Sequence, residues 1–381
     1  MSLRDEQVSV WGVDAWRGVA ALMVVYSHFW AFSGQDLPIL RMMFTGVDLF
    51  FVLSGFVFAP YFAGKPLSVP AFAVRRLFRI YPAFVLALAL YVALKWRAGH
   101  ELLYLREHLT FTFLQSRTMA FYYNPPFWSL PAEVEFYLLL PIFAWLLGVR
   151  RQGLATMGPA AWGGRFASLF VLALSLRLGV GFMSDRNSEN LFFILNYHLP
   201  GLLLEFLLGV LTWRCCYSPR AWARRWFLMG LGLAGWLGLA FLFGQVGDSG
   251  IDAGWLRGQL SWLAALCFAL MVCGSLAKSP GSQRRAEVTR PYAAWQSGTR
   301  WLAAWAGRLS YGVYLFHLAA LQLATLWREA LKDWPLGHQG AAVVLTLAMA
   351  WLSLQFCEDP LRRWGRRLAQ RWESSPTLRA P

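Results

Sequence analysis

Apolar stretches long enough to cross a bilayer recur along the whole of this 381-residue chain, and they leave room for few other architectures. Ten are expected to span, over about residues 11–32, 41–63, 78–97, 127–148, 166–183, 199–213, 226–244, 255–276, 301–327 and 341–361. In hydrocarbon every backbone N–H and C=O must be paired within its own segment, so runs of this length become helices. The expected fold is an all-α integral membrane protein. A composition that is 57% hydrophobic and 14% charged excludes a soluble globular chain, and the polar connections are too short to hold a separate domain.

The formal charge of +15 would suit a nucleic-acid partner if it were clustered. It follows topology instead. With the N-terminus placed in the cytoplasm, 23 of the 35 Lys and Arg fall on the inner side and nine on the outer, while Arg17, Arg177 and Arg308 stay within spans. This positive-inside distribution predicts both termini in the cytoplasm, attraction to anionic membrane lipid, and no nucleic-acid partner. Residues 1–365 are expected to form one transmembrane domain and 366–381 a basic cytoplasmic tail. The first apolar stretch carries Arg17 and His28 and reads as an uncleaved signal-anchor. Five cysteines without zinc-ligand spacing predict neither a disulfide framework nor a metal site.

Ionisable residues inside spans are costly and mark function by default. In VDAWRGVAALMVVYSHFW, Arg17 and His28 lie eleven steps apart, which places them on one helix face. Their separation along the axis is about 16 Å. His28, Asp48 in GVDLFFVLSGF, Glu133 in FWSLPAEVEFYLLLP, Arg177 and Glu205 come from five spans. All five are expected about 6–11 Å below the outer surface, at 1.5 Å per residue, and so to line a shared polar cavity. Other readings compete. Asp48 can bond backbone at a bend, since Gly46, Ser54 and Gly55 suggest close packing, and Arg177 with Glu205 can be a structural ion pair. Glu133 and Glu135 point about 200° apart, and Glu133 shares its stripe with Tyr137. Pro131 fits the first turn of a helix starting near Trp128 or Ser129.

The inner side has its own set. Arg75, Arg76 and Arg79 in VRRLFRIYPAF precede the third span, with Tyr81 and Pro82 at its mouth, and Arg17 and Arg308 lie near inner ends. Such arginines suit bidentate recognition of phosphate, although each alone also fits ordinary inner-side charge. His317 in RLSYGVYLFHL falls near mid-membrane and is as well suited to structure as to function. Acyl transfer from an acyl-CoA fits this division: phosphates held at the inner mouth, the pantetheine arm carrying the thioester inward. His28 then serves as general base on an acceptor hydroxyl, with a carboxylate orienting its ring. No serine nucleophile elbow is present, which favours direct attack by the acceptor.

These motifs closely resemble the bacterial acyltransferase-3 family of integral membrane O-acyltransferases. VDAWRGVAAL with the Arg17–His28 spacing is similar to that family's opening, GVDLFFVLSGF to its second-span signature, and RRLFRIYPAF to its inner-loop motif. FWSLPAEVEFYLLLP, GRLSYGVYLFHL and FCEDPLRRW are similar to its later motifs, so the resemblance runs in order over nearly the whole chain. It implies a bacterial inner-membrane enzyme moving an acyl group, usually acetyl from acetyl-CoA, to a hydroxyl of a cell-surface or exported polysaccharide or oligosaccharide. By residue, it implies His28 and Arg17 as the essential pair, Glu133 as the membrane glutamate, and Arg75, Arg76 and Arg79 as the basic motif. Asp48 is expected beside the catalytic set, Tyr81 and Arg308 at the donor, and Arg177, Glu205, Tyr137 and His317 at the acceptor. Two positions depart from the pattern. Val134 stands where a second acid often follows Glu133, and Asp359 stands between Glu358 and Pro360. No fused extracytoplasmic domain of the kind some relatives carry is expected after the tenth span, so the membrane domain is expected either to complete transfer or to hand the acyl group to a partner.

Acylation of a small natural product such as a macrolide is the nearest rival activity. A transporter or flippase for a glycan intermediate is the rival from another class, but it leaves the Arg–His spacing unexplained, and no inverted repeat is visible. Haem held by His28 and His317 is disfavoured by their different depths. The expected partners are acyl-CoA, a sugar hydroxyl acceptor and membrane lipid, with room for a homodimer.

Overall fold

The computed structural model describes residues 3–30, 38–147, 159–183, 191–250, 254–277, 293–327 and 337–374, and the described residues form no strand. Ten long helices run in chain order: α1 Leu3–Trp30, α2 Gly46–Phe62, α3 Val69–Arg97, α4 Ser129–Leu146, α5 Pro159–Met183, α6 Leu199–Cys216, α7 Arg225–Gly250, α8 Gly254–Leu276, α9 Ala293–Ala324 and α10 Gly337–Ser353. A π-turn over Leu354–Glu358 then leads into an eleventh, α11 Asp359–Ser374. Among the described residues nine stretches are long and apolar enough to cross a membrane, and they correspond to the second through tenth expected spans. The remaining one, α1, is a 28-residue helix whose Asp14, Arg17 and His28 lower its apolarity. The protein is an all-helical, multi-pass membrane protein.

Two boundaries differ from the sequence reading, and both differences matter. The third span extends back to Val69, so Arg75, Arg76 and Arg79 stand on a helix and not on the loop before it. Ser68 holds the extended N-cap conformation and Pro70 falls in the first turn, where its missing N–H costs nothing. At the other end, the π-turn falls inside the expected tenth span, and helix continues past residue 361 along α11 to Ser374. The start of α4 at Ser129, preceded by a 3-10 turn over Pro125–Trp128, agrees with the position inferred from Pro131.

The chain divides into two compact units, the first made of residues 1–60, 167–196 and 200–310, and the second of 61–166, 197–199 and 311–381. In the first, small residues allow backbones to touch, the usual way that membrane helices associate. A Cβ placed on Gly55 of α2 would lie 1.8 Å from the Phe206 carbonyl oxygen of α6, and one on Gly209 of α6 would lie 2.0 Å from the Val52 oxygen of α2. Gly232 and Gly274 make the same close approach between α7 and α8. Leu49, Leu53, Phe56, Trp236 and Phe268 fill the core around them. Trp236 also donates its indole N–H to Thr45 at 3.1 Å, which satisfies a polar group that burial would penalise.

The second unit is centred on aromatic rings. Phe84 packs on Phe111 at 4.6 Å and on Phe127 at 5.1 Å, and Tyr91 meets Phe127 edge-on at 5.5 Å. The buried Tyr91 hydroxyl donates to the Leu315 carbonyl at 3.1 Å and accepts from the Ala319 amide at 3.0 Å, fixing α3 against α9. Large apolar side chains such as Leu138, Trp145, Phe182 and Phe241 remain exposed, as expected of surfaces that lipid covers.

Candidate active site

The first helix supplies the basic end of the candidate site. Arg17 donates to Asp14 at 3.2 Å, one turn earlier on the same helix. Beside them α9 comes close, since a Cβ on Gly307 would lie 2.4 Å from Asp14 Cβ and one on Gly18 would lie 2.6 Å from Ala306. The neighbouring Arg308 is exposed, its guanidinium 4.9 Å from the Trp305 ring centre. Arg17 and Arg308 therefore come from adjoining parts of two helices.

At the other end of α1, His28 is half-buried, with Nδ1 2.8 Å from the Val24 carbonyl oxygen and 3.3 Å from Ser27 Oγ. A carbonyl can only accept, so Nδ1 carries the proton, and the ring's basic lone pair lies on Nε2. Ser27 donates to the same carbonyl at 2.7 Å. The Val24 carbonyl thus helps to orient the ring from within its own helix.

Three residues expected at one depth meet in the first unit. Asp48 on α2, Arg177 on α5 and Glu205 on α6 are at most 3% exposed, and Asp48 faces Glu205, Arg177 and Ser261. Arg177 donates to the Gly201 carbonyl at 2.8 Å and lies 3.9 Å from Glu205. Asp48 and Glu205 lie within side-chain hydrogen-bond reach of each other, while Nε2 of the buried Gln259 has no hydrogen-bond partner among the described residues. A buried donor without a partner is costly, and a small hydroxylic molecule can satisfy it.

The second unit gathers another set. Tyr137 donates its hydroxyl to Glu133 one turn earlier, as their shared stripe predicted. The Arg76 guanidinium lies 5.7 Å from the ring centres of both Phe72 and Tyr137 and interacts with Glu133 and Arg79. Tyr81 donates to the Leu109 carbonyl at 3.1 Å, and Arg75 pairs with Glu373 of α11 at 2.6 Å. His317 is fully buried with Nδ1 2.9 Å from the Tyr314 carbonyl.

Sequence reading passed over several members of this set. Tyr311 donates to the Ile80 carbonyl at 2.9 Å and faces Glu133, Glu358, Arg79 and Arg362. Glu358, buried in the π-turn, accepts from Ser353 and from Arg362. The i,i+4 spacing of Glu358 and Arg362 was a usable signal for that pair. His198 had none: it lies just before α6, where its Nδ1 meets Glu135 of α4 and its Nε2 meets the Leu114 carbonyl at 3.2 Å. The Glu135 carboxylate raises the His198 pKa above its ordinary value. Glu133 and Glu135 do face different partners, as their angular separation required.

Comparison with known proteins bears on the family of the chain. A protein of the picA locus of Rhizobium radiobacter is 44% identical over 85 residues, 21% of this chain and 43% of that protein. A protein of Acidianus two-tailed virus, provisionally named an acetyltransferase, is 32% identical over 147 residues, 36% of this chain and 42% of its own. A Staphylococcus aureus (strain MRSA252) protein, provisionally named an O-acetyltransferase, is 22% identical over 407 aligned positions, 96% of this chain and 59% of its own. The chain thus matches between about two fifths and three fifths of the length of these relatives. No solved structure matches it. The family profile described as "Acyltransferase domain" matches residues 10–354, nearly the whole helical region. The chain belongs to the acyltransferase-3 family of membrane proteins.

Proposed function

We propose that this protein is an O-acyltransferase that moves an acyl group, in the simplest case acetyl from acetyl-CoA, to a hydroxyl of a cell-surface or exported polysaccharide or oligosaccharide. The observation that carries the reading is the His28–Val24 hydrogen bond, which leaves the basic lone pair on Nε2 of a half-buried histidine. In the reaction Nε2 takes the acceptor hydroxyl proton while the acceptor oxygen attacks the thioester carbonyl carbon. The C–S bond then breaks, and the leaving thiolate takes the proton back from the imidazolium. Arg76 and Arg79 bind donor phosphates, with Arg75 held by Glu373 and Tyr81 at the same helix. Arg17 and Arg308 add positive charge on α1 and α9, and Glu133 with Tyr137 fixes Arg76. Asp48, Arg177 and Glu205 supply buried acceptors and a donor, the mixture that a polyhydroxylated acceptor needs. The membrane in question is the bacterial inner membrane, with both termini cytoplasmic.

The test uses the protein in lipid nanodiscs with labelled acetyl-CoA, wild type beside His28→Ala and Arg17→Ala. Donor binding by wild type and His28→Ala, with slow hydrolysis lost in His28→Ala, is the expected result. A folded wild type that binds no acetyl-CoA, or a His28→Ala protein with normal turnover, overturns the reading.

A further inference from the structure

The sequence of α11, DPLRRWGRRLAQRWES, repeats a two-residue pattern every four positions: Arg363–Trp364, Arg367–Leu368 and Arg371–Trp372. A four-residue step nearly closes one helical turn, so Trp364, Leu368 and Trp372 form one stripe and Arg363, Arg367 and Arg371 a second beside it. A third side is occupied by α3. Gly365 is buried, and a Cβ there would lie 2.5 Å from Phe78 Cβ; Trp364 meets the Phe78 ring edge-on at 4.9 Å; Glu373 pairs with Arg75. The arginine stripe is left facing outward, and the tryptophan stripe, which borders α3 at Trp364, is left partly open beside it. Trp364 and Trp372 are half exposed, and Arg363, Arg366, Arg367 and Arg371 are exposed.

Length fixes where this helix sits. The continuous stretch Gly337–Glu373 has 37 residues, about 55 Å of helix against a hydrocarbon core of about 30 Å. The core is used up by α10 and the π-turn, so α11 emerges at the membrane surface. A helix there with indole and leucine on one stripe and guanidinium groups on the next matches acyl chains on one side and negatively charged headgroups on the other.

We infer that α11 docks on an anionic phospholipid leaflet, burying Trp364, Leu368 and Trp372 at the acyl boundary while Arg363, Arg366, Arg367 and Arg371 bind lipid phosphates. The four exposed arginines are the charge complement of that leaflet, and each is worth about fivefold in surface affinity. This inference does not depend on the proposed acyl transfer. It does link lipid composition to α3, because α11 braces the half of α3 that carries Arg75, Arg76 and Arg79.

The experiment places the full chain in nanodiscs of phosphatidylcholine with 30% phosphatidylglycerol, doped with a photoreactive analogue of one lipid or the other. Chymotryptic fragments covering 359–374 are then quantified by mass spectrometry. The expected result is labelling at least about fivefold higher by the phosphatidylglycerol analogue, as one arginine near an anionic surface already predicts. That preference should fall to parity in the R363Q/R366Q/R367Q/R371Q variant and in wild type at high salt, while labelling of α2 stays constant as a folding control. The salt arm needs no variant. Equal labelling by both lipids at low salt overturns the inference, as does a preference unchanged by salt, or crosslinks from the stripe to a second copy of the chain in place of lipid.

Discussion

Glu135 divides its carboxylate between two consecutive residues, one oxygen to His198 Nδ1 and the other accepting from the Leu199 amide at 2.8 Å. The second bond satisfies one of the unpaired N–H groups at the start of α6. The first determines a charge. With Nδ1 facing a carboxylate and Nε2 facing the Leu114 carbonyl, both ring nitrogens must donate, so His198 is held as imidazolium.

A pH dependence of stability follows. Because the folded-state pKa of His198 is raised, its contribution is complete below the unfolded value of about 6.5 and is lost as pH rises through the folded value. The melting temperature of the solubilised protein should therefore decline as pH rises above about 6.5. Glu135→Gln should cost roughly 1–2 kcal/mol and flatten that decline. An alkaline limb equally steep in the variant contradicts the assignment.

His108 should give the opposite slope. It is buried, stacked 4.2 Å from Phe113, and burial lowers its pKa to about 4. Between about 6.5 and 4 the unfolded chain takes a proton that the folded chain refuses, so stability falls as pH falls. His108→Phe keeps a ring against Phe113 and should make the acid limb shallower in the same melting series.

The buried charges of the first unit can be separated by a double-mutant cycle. Arg177→Met alone leaves Asp48 and Glu205 without their cation and should destabilise by about 3–5 kcal/mol. Adding Glu205→Gln should recover part of that loss. Denaturation in detergent reads the cycle, and strict additivity of the two changes means that the two residues do not interact.

Two glycine substitutions should differ sharply. Gly55→Ala forces a methyl against the Phe206 carbonyl and should cost at least 1–3 kcal/mol. At Gly179, where nothing lies within 4 Å, alanine should be neutral or stabilising by up to about 1 kcal/mol through helix propensity. Thermal unfolding of both proteins in one detergent is sufficient to check this.

The proposed chemistry predicts a split in kinetics. His28→Ala should lower kcat by about 10²–10⁴-fold with donor binding retained. Arg76→Gln should raise the donor KM by on the order of tenfold or more, the loss of one charge-assisted bond. Equal effects of both variants on KM would remove the distinction between base and binding residue.

Much of the fold was legible because bilayer physics permits so few solutions. Long apolar runs had to be helices, and nine of the ten expected spans appear in order among the described residues as helices apolar enough to cross a membrane. The Asp48, Arg177 and Glu205 grouping was legible for the same reason, since depth along a span can be counted in residues, but the same count put Glu133 with them, whereas Glu133 meets Tyr137 and Arg76 in the second unit. The start of α3 was missed because Arg75, Arg76 and Arg79 interrupt the apolar signal without interrupting the helix. His198 was missed because its importance comes from Glu135 and Leu114, residues far away in sequence. The bond from His28 to the Val24 carbonyl was not legible either, because every residue has a backbone carbonyl and no side-chain pattern can advertise it.

The π-turn over Leu354–Glu358 changes the phase of the last helix. An α-helix advances 100° per residue, so one wider turn offsets every face beyond it from every face before it. Removing a single residue there would rotate α11 against α3, turning Gly365 away from Phe78 and parting Glu373 from Arg75. The rotation would also swing the tryptophan stripe off its heading. One irregular turn thus sets the compass bearing of sixteen residues, and Glu358 and Arg362, clasped across its end, keep it from drifting.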